Sequence, residues 1–162
     1  MNGMIHKNRW IIVLTIFIGL LLDILPLPHW ALWIKPQWTL LIIMYWAMAL
    51  SYLVGVGSAF VSGLLLDLLS GTLLGEHALA MVIVVYLVIK FHQRIRVLSF
   101  FQQMLCVLVL VLIYQAILFV TQHFVADKPL PLVYWSSSLI SAILWPWLFV
   151  LLRDWRRRFH VT

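Results

Sequence analysis

The segment GLLLDLLSGTLLG, residues 63–75, places one carboxylate, Asp67, in a run that is otherwise almost entirely apolar. Steps of four residues outward from Asp67 reach only small residues: Ser51, Gly55, Ala59, Gly63, Gly71 and Gly75. Residues four apart lie on nearly the same face of an α-helix, and a face of small residues lets a second helix approach closely. We therefore expect protein to cover Asp67, because a charge at the centre of a lipid-facing helix costs roughly 2.5–3.5 kcal/mol.

The composition of the whole chain agrees with a membrane environment for this segment. Of the 162 residues, 65% are hydrophobic and 10% are charged, whereas a soluble domain has about 45–50% apolar and about 25% charged residues. The chain is therefore predicted to be an all-α integral membrane protein with a single transmembrane domain. Its one cysteine, Cys106, excludes a disulfide within the chain.

Apolar runs separated by polar or proline-rich segments predict six transmembrane helices. They cover residues 10–25, 38–54, 58–69, 78–91, 104–125 and 135–152. Prolines interrupt the chain at 26–37 and 126–134, where we expect loops. The third run is short for a hydrocarbon core of about 30 Å, which needs about 20 residues.

Basic residues give these spans an orientation. With six spans, nine Lys and Arg residues lie on the side of the two termini and two on the other side. The larger group is Lys7, Arg9, Lys90, Arg94, Arg96, Arg153, Arg156, Arg157 and Arg158; the smaller is Lys35 and Lys128. The positive-inside rule then predicts cytoplasmic termini. Arg94, Arg96 and the arginines of the C-terminal tail are expected to anchor the chain at anionic lipid or to dock a cytoplasmic partner.

Asp67 has three readings on this evidence. It forms a hydrogen bond that fixes helix register or assembly, it lines a ligand cavity, or it relays protons. Gln115 and Gln122, seven residues apart, share a face of the fifth span and either bond to neighbouring helices or line a cavity with Asp67. We expect the partner of Asp67 to be Gln115 or the backbone of the turn at 70–77.

Three further motifs are assigned structural roles. Gly71 and Gly75 are typical of a turn after a helix C-terminus, and Trp145-Pro146-Trp147 predicts a kink between two aromatic side chains. Serines at the start of the sixth span either allow close approach or bind carbonyls freed by Pro146; they are Ser136, Ser137, Ser138 and Ser141.

The sequence contains none of the common catalytic or nucleotide-binding motifs GxxxxGK[ST], HExxH, CxxC and GxSxG. Glu76 and His77 lack a further ligand at metal-binding spacing. We therefore predict no catalytic residue, no metal site and no cofactor. The positive charges lie at the ends of apolar runs, which indicates membrane lipid and not nucleic acid as their partner.

An ordered set of short motifs resembles the MreD family of bacterial rod shape-determining inner-membrane proteins, in its enterobacterial form. The motifs are Lys35-Pro36-Gln37-Trp38, Tyr45-Trp46, Gly63-x3-Asp67-x2-Ser70-Gly71-x3-Gly75, Trp135-Ser136-Ser137 and Trp145-Pro146-Trp147. The resemblance implies the six-helix fold of the substrate-binding subunits of energy-coupling-factor transporters. It also implies a protein without enzymatic activity that binds MreC in the cell-elongation complex.

The same resemblance implies links to the MreB filament and to RodA with its transpeptidase partner. Two other functions stay open at this stage. One is a small-molecule or lipid-precursor binding or transport subunit with a cavity near Asp67. The other, an enzyme acting on lipid-linked precursors, is disfavoured because the five acidic residues are spread along the chain.

Overall fold

The computed structural model describes residues 9–127 and 131–161, which form seven α-helices and one 3₁₀ turn. The α-helices are α1 (Arg9–Ile24), α2 (His29–Leu32), α3 (Trp38–Ala49), α4 (Val56–Ser70), α5 (Glu76–Val97), α6 (Phe100–Ala126) and α7 (Ser136–Arg158), and the 3₁₀ turn covers Leu132–Trp135. No strand occurs in these described ranges. Lys7 and Lys128, which entered the charge count, lie outside them.

Three helices are long and apolar enough to cross a membrane: α5, α6, and α7 together with the turn before it. Helices α1, α3 and α4 have 16, 12 and 15 residues. At about 1.5 Å per residue, α3 is only about 18 Å long. The chain is an integral membrane protein, and its sixfold crossing stays a prediction.

Several helix boundaries differ from the predicted spans. The second span was expected to reach residue 54, but α3 ends at Ala49 because Leu50 leaves the helical conformation. The N–H groups of Leu53 and Val54 then bond back to the Leu50 carbonyl at 2.9 and 3.0 Å, which closes a turn. A short helix, α2, also occupies part of the segment that was predicted to be a loop.

The segment at 92–103, which separates the predicted fourth and fifth spans, is almost entirely helical. Helix α5 continues to Val97 and α6 begins at Phe100, so that only Leu98 and Ser99 separate them. Ser99 caps α6 with Gln102 in a capping box, which specifies the start of the helix. Helix α7 likewise continues to Arg158, six residues beyond the predicted end at 152.

Helix α3 forms the centre of the bundle. Every residue at 39–48 is buried, and the helix packs against α1, α5 and α7. A helix that is apolar on all faces is buried on all faces, which explains why α3 lacks a polar stripe. Its Trp46 satisfies its indole N–H by donating to Thr15 Oγ1 of α1 at 2.9 Å.

The predicted small-residue face exists, but over a shorter length. Ala59, Gly63 and Asp67 are buried on α4, which packs against α5. Ser51 and Gly55 precede α4, and Gly71 follows it, because Gly71 takes a left-handed conformation with φ 65° and ends the helix. A Cβ atom on Gly63 would lie 2.4 Å from the Ala78 Cα atom, so the helices touch backbone to backbone.

Replacing Gly63 by alanine should therefore destabilise the purified protein. The added methyl group meets backbone atoms that cannot rotate away, and overpacking of this kind costs about 1–3 kcal/mol. The matched control is Gly57→Ala on the same helix, where a Cβ atom meets nothing within 4 Å. Thermal unfolding in detergent should show a lower Tm for Gly63→Ala only; equal values for both variants would refute the close contact.

Candidate functional site

The carboxylate of Asp67 lies at the junction of α4 and α5 and is fully buried. The backbone of Asp67 takes part in ending α4, because its carbonyl accepts the N–H groups of Gly71 and, at 3.2 Å, of Thr72. The side chain points towards the turn that follows. One residue thus contributes both its main chain and its side chain to the reversal at 71–75.

Every strong hydrogen bond to the carboxylate comes from residues 72–77. The N–H of Gly75 donates to Oδ2 at 2.8 Å, and the N–H of His77 donates to Oδ1 at 3.0 Å. The Thr72 hydroxyl donates to Oδ1 at 3.1 Å, and His77 Nδ1 lies 2.7 Å from the same oxygen. The backbone of the predicted turn is therefore a partner of Asp67, and Gln115 is not.

These contacts give Asp67 the role of an N-terminal cap for α5. Gly75, at the cap position, has no side chain to bind the free N–H groups of the first turn. Asp67 supplies the missing acceptor from the neighbouring helix, and its negative charge faces the positive end of the helix dipole. Both oxygens are consequently occupied by groups of the same chain.

A second carboxylate, Asp23, does the same for α3. Its oxygens accept the N–H groups of Trp38 at 3.1 Å and Thr39 at 2.8 Å. Gln37, at the cap position, makes no side-chain cap. Sequence reasoning gave Asp23 no role, although an acid at the end of one apolar run shortly before an uncapped helix was a usable signal.

A polar cavity of about 120 Å³ lies between the two carboxylate sites. Its walls are formed by Asp23, Leu32, Trp33, Lys35, Pro36, Gln37, Leu66, Ser70, His77, Tyr134 and Ser137. Burial lowers the pKa of Lys35 in spite of the nearby Asp23. Pockets for small organic ligands measure about 300–1,000 Å³, so this space suits a few water molecules.

Of the two alternatives for Gln115 and Gln122, the geometry favours bonds to neighbouring elements over a cavity shared with Asp67, since none of the three residues contributes to these walls. Gln115 is buried and donates through Nε2 to the Tyr134 carbonyl at 3.3 Å. Gln122 is half-buried two turns further along α6. Gln115 thus connects α6 to the turn before α7.

The serines of α7 bind the segment at 33–37. The Ser136 hydroxyl donates to the Trp33 carbonyl at 2.8 Å, the Ser137 hydroxyl donates to the Lys35 carbonyl, and Ser141 accepts from the Gln37 N–H at 3.1 Å. They do not bind carbonyls freed by Pro146, which lies inside α7 while the helix continues past it.

The two tryptophans beside Pro146 face opposite environments. Trp145 is fully buried, whereas Trp147 is exposed on the outside of the bundle.

At the far end of α5, Arg96, Arg153 and Arg156 line a common cavity, and Arg94, Arg157 and Arg158 are exposed. Within the described ranges, no group of three His, Cys, Asp or Glu side chains could hold a metal ion.

Comparison with known proteins gives the family. The family model described as rod shape-determining protein MreD matches residues 4–155. The chain belongs to the MreD family. It is 32% identical over 154 residues to the rod shape-determining protein MreD of Haemophilus influenzae, with 93% of each chain covered. No solved structure matches the chain.

Family membership makes this chain a member of a bacterial shape-determining system. The motif around Asp67 that carried the resemblance is the α4–α5 junction described above. In this MreD chain, the junction is closed by hydrogen bonds within the molecule.

Substituting Asp67 by asparagine should destabilise the α4–α5 junction. Asparagine keeps the shape of the side chain but leaves one acceptor oxygen for the N–H groups of Gly75 and His77. A buried donor left unsatisfied costs about 1–3 kcal/mol. The control is Asp127→Asn, at an exposed position with φ 47°, which asparagine tolerates. A Tm of Asp67→Asn equal to that of the control would contradict the capping role.

Proposed function

We propose that this MreD protein is a non-enzymatic membrane component of the bacterial cell-elongation complex. In this proposal it binds MreC and, with it, connects the MreB filament to RodA and its transpeptidase partner. The observation that carries the proposal is the family match over residues 4–155. The complex as a whole would keep peptidoglycan synthesis compatible with a rod shape.

The use of the buried carboxylates supports a non-enzymatic role. A general acid or base must reach the proton of a substrate within about 2.6–3.2 Å. Asp67 is fully buried and bonded on both oxygens, and Asp23 binds the first turn of α3. Both acids are thus committed to holding helices together, which also argues against a proton relay through Asp67.

The topology that we propose has six spans with both termini in the cytoplasm of a bacterium and the chain in its inner membrane. It requires the shorter helices α1, α3 and α4 to cross together with the three long ones. Helix α3 is enclosed by its neighbours, so that the chain itself provides most of its apolar surroundings. The basic residues at 94–96 and 153–158 would then face cytoplasmic lipid headgroups.

For MreC we propose a binding site on the groove between α1 and α4. This groove, of about 540 Å³, is lined by apolar side chains such as Phe17 and Leu65 and has Gly57, Ser58 and Ser62 within it. Small residues let a transmembrane helix approach closely and gain van der Waals contact. The occupant that we assign to it is the transmembrane helix of MreC.

The alternative function is a subunit that binds or transports a small molecule or lipid precursor. The cavity beside Asp23, Lys35 and His77 favours it, because these side chains place several polar groups around one space. Its volume of about 120 Å³ limits the ligand to one much smaller than a vitamin. The assembly function is therefore the better supported of the two.

Deletion of the gene should convert rod-shaped cells into spheres, and complementation should restore rods. The tagged protein should recover MreC from detergent-solubilised membranes, because direct binding is the core of the proposal. Recovery from cells that lack MreB separates direct binding from association through the filament. Normal rods in the deletion strain would eliminate the proposed function.

A tryptophan at Gly57 should block the groove without unfolding the protein, since a Cβ atom at this position meets nothing within 4 Å. We expect recovery of MreC to fall at least fivefold while the Tm changes little. The control is Val109→Trp, an exposed position on α6 outside the groove. Undiminished recovery with Gly57→Trp would show that MreC does not bind in the groove.

A further inference from the structure

A cavity of about 350 Å³ lies at the end of the bundle opposite the carboxylates. Several helix ends meet there: the C-terminus of α3 at Ala49, the C-terminal turn of α5 at Arg96 and the N-terminus of α6 at Ser99. The last turns of α7 complete the wall with Arg153 and Arg156. Three guanidinium groups from two helices thus border one space.

The described residues provide no carboxylate to neutralise the charges of these arginines. Among the described residues, no arginine forms an ion pair, and no acidic residue lines the cavity. The Nε atom of Arg153 is buried and has no hydrogen-bond partner in the described ranges. Arg96 is exposed and Arg153 is half-buried as a whole, but this Nε–H group is withdrawn from water. A buried donor without a partner is costly, and an external anion would relieve that cost.

Neutral donors add to the positive character of the cavity. Tyr45 lines it, and its hydroxyl forms no hydrogen bond with any described residue. Ser99 caps the N–H of Gln102, which leaves the N–H groups of Phe100 and Phe101 at the positive end of a 27-residue helix. Serine, tyrosine and backbone donors beside arginine are the groups that bind phosphate oxygens in proteins.

Aromatic side chains also line the cavity. Phe149 contacts Tyr45 edge to face at a ring distance of 5.4 Å, and Phe100 contacts Phe149 in the same way at 6.0 Å. Met48 and Leu98 extend this apolar surface. A cavity lined by both cations and aromatic rings suits a molecule that is anionic at one end and apolar at the other.

We propose that this cavity is a phosphate-binding site in which Arg96, Arg153 and Arg156 hold the anionic oxygens. The guanidinium group forms paired hydrogen bonds to phosphate with a geometry that lysine does not reproduce. The phosphate belongs either to a lipid headgroup, with the acyl chains along the aromatic rings of the cavity, or to a free phosphate or diphosphate. The site goes beyond general attraction of the basic tail to the membrane, because it requires three particular arginines.

The test compares two triple variants of the full chain in lipid nanodiscs. R96Q/R153Q/R156Q removes the arginines of the cavity, and R94Q/R157Q/R158Q removes the same number of charges from exposed positions outside it. Native mass spectrometry counts phosphatidylglycerol retained from mixed phosphatidylglycerol and phosphatidylcholine discs. Titration with inorganic pyrophosphate, followed by thermal shift, tests the free anion.

We expect the wild type and R94Q/R157Q/R158Q to retain phosphatidylglycerol or to gain at least 3 °C in Tm with pyrophosphate. In R96Q/R153Q/R156Q, whichever of these two responses the wild type shows should be at least tenfold weaker. Retention of the lipid without a pyrophosphate shift identifies a headgroup, and the reverse identifies a free anion. Equal losses in the two triple variants would overturn the proposal, as would the absence of both effects in wild type.

A further variant keeps the proposal testable if removal of the arginines prevents folding. Ala49→Trp fills the cavity from the end of α3 and leaves all charges in place. It should abolish the lipid or pyrophosphate effect while the basic surface stays intact. Full retention of the effect in Ala49→Trp would place the anion outside the cavity and refute the site.

Discussion

The bond between a buried carboxylate and the free N–H groups at a helix N-terminus organises this structure. The first turns of α5 and α3 have no side-chain cap of their own. Asp67, near the end of α4, and Asp23, near the end of α1, supply the acceptors. A hydrogen bond to a charged group contributes about 1.5–3 kcal/mol. Asp67 therefore ties α4 to α5, and Asp23 ties α1 to α3, across the segments that connect them.

This arrangement explains why the close contact at Gly63 lies where it does. The α4–α5 turn is held by Asp67 through Gly75 and His77, which brings the start of α5 directly beside α4. One turn before Asp67, the two backbones meet at Gly63 and Ala78. A capping bond and a backbone contact thus reinforce each other, and a larger side chain at position 63 would strain both.

Sequence reasoning identified the six helices in the apolar runs and this contact, but neither the short helix α2 nor the ends of the helices. The apolar runs and the small residues around Asp67 follow directly from residue type. The end of α3 at Ala49 depends on a turn in which the backbone N–H groups of Leu53 and Val54 donate to the Leu50 carbonyl. The side chains of these three residues are apolar and do not indicate a turn. The roles of Asp23 and of the α7 serines depend on contacts over 15 to 104 residues of sequence, which periodicity does not contain.

Asp67 and Arg153, at opposite ends of the bundle, differ in whether their polar atoms find partners among the described residues, and this difference bears on where a ligand belongs. Asp67 is a candidate ligand-binding residue in the sequence because it is an acid in an apolar run. Both of its carboxylate oxygens, however, accept hydrogen bonds from the turn at 72–77. The arginines at the other end were expected to anchor the chain at the membrane surface. Arg153 instead keeps a buried Nε atom without a partner in the described part of the chain. Because Asp67 and Asp23 are committed to capping helices while Arg153 keeps an open donor, the arginine end is the better place to seek an anionic ligand.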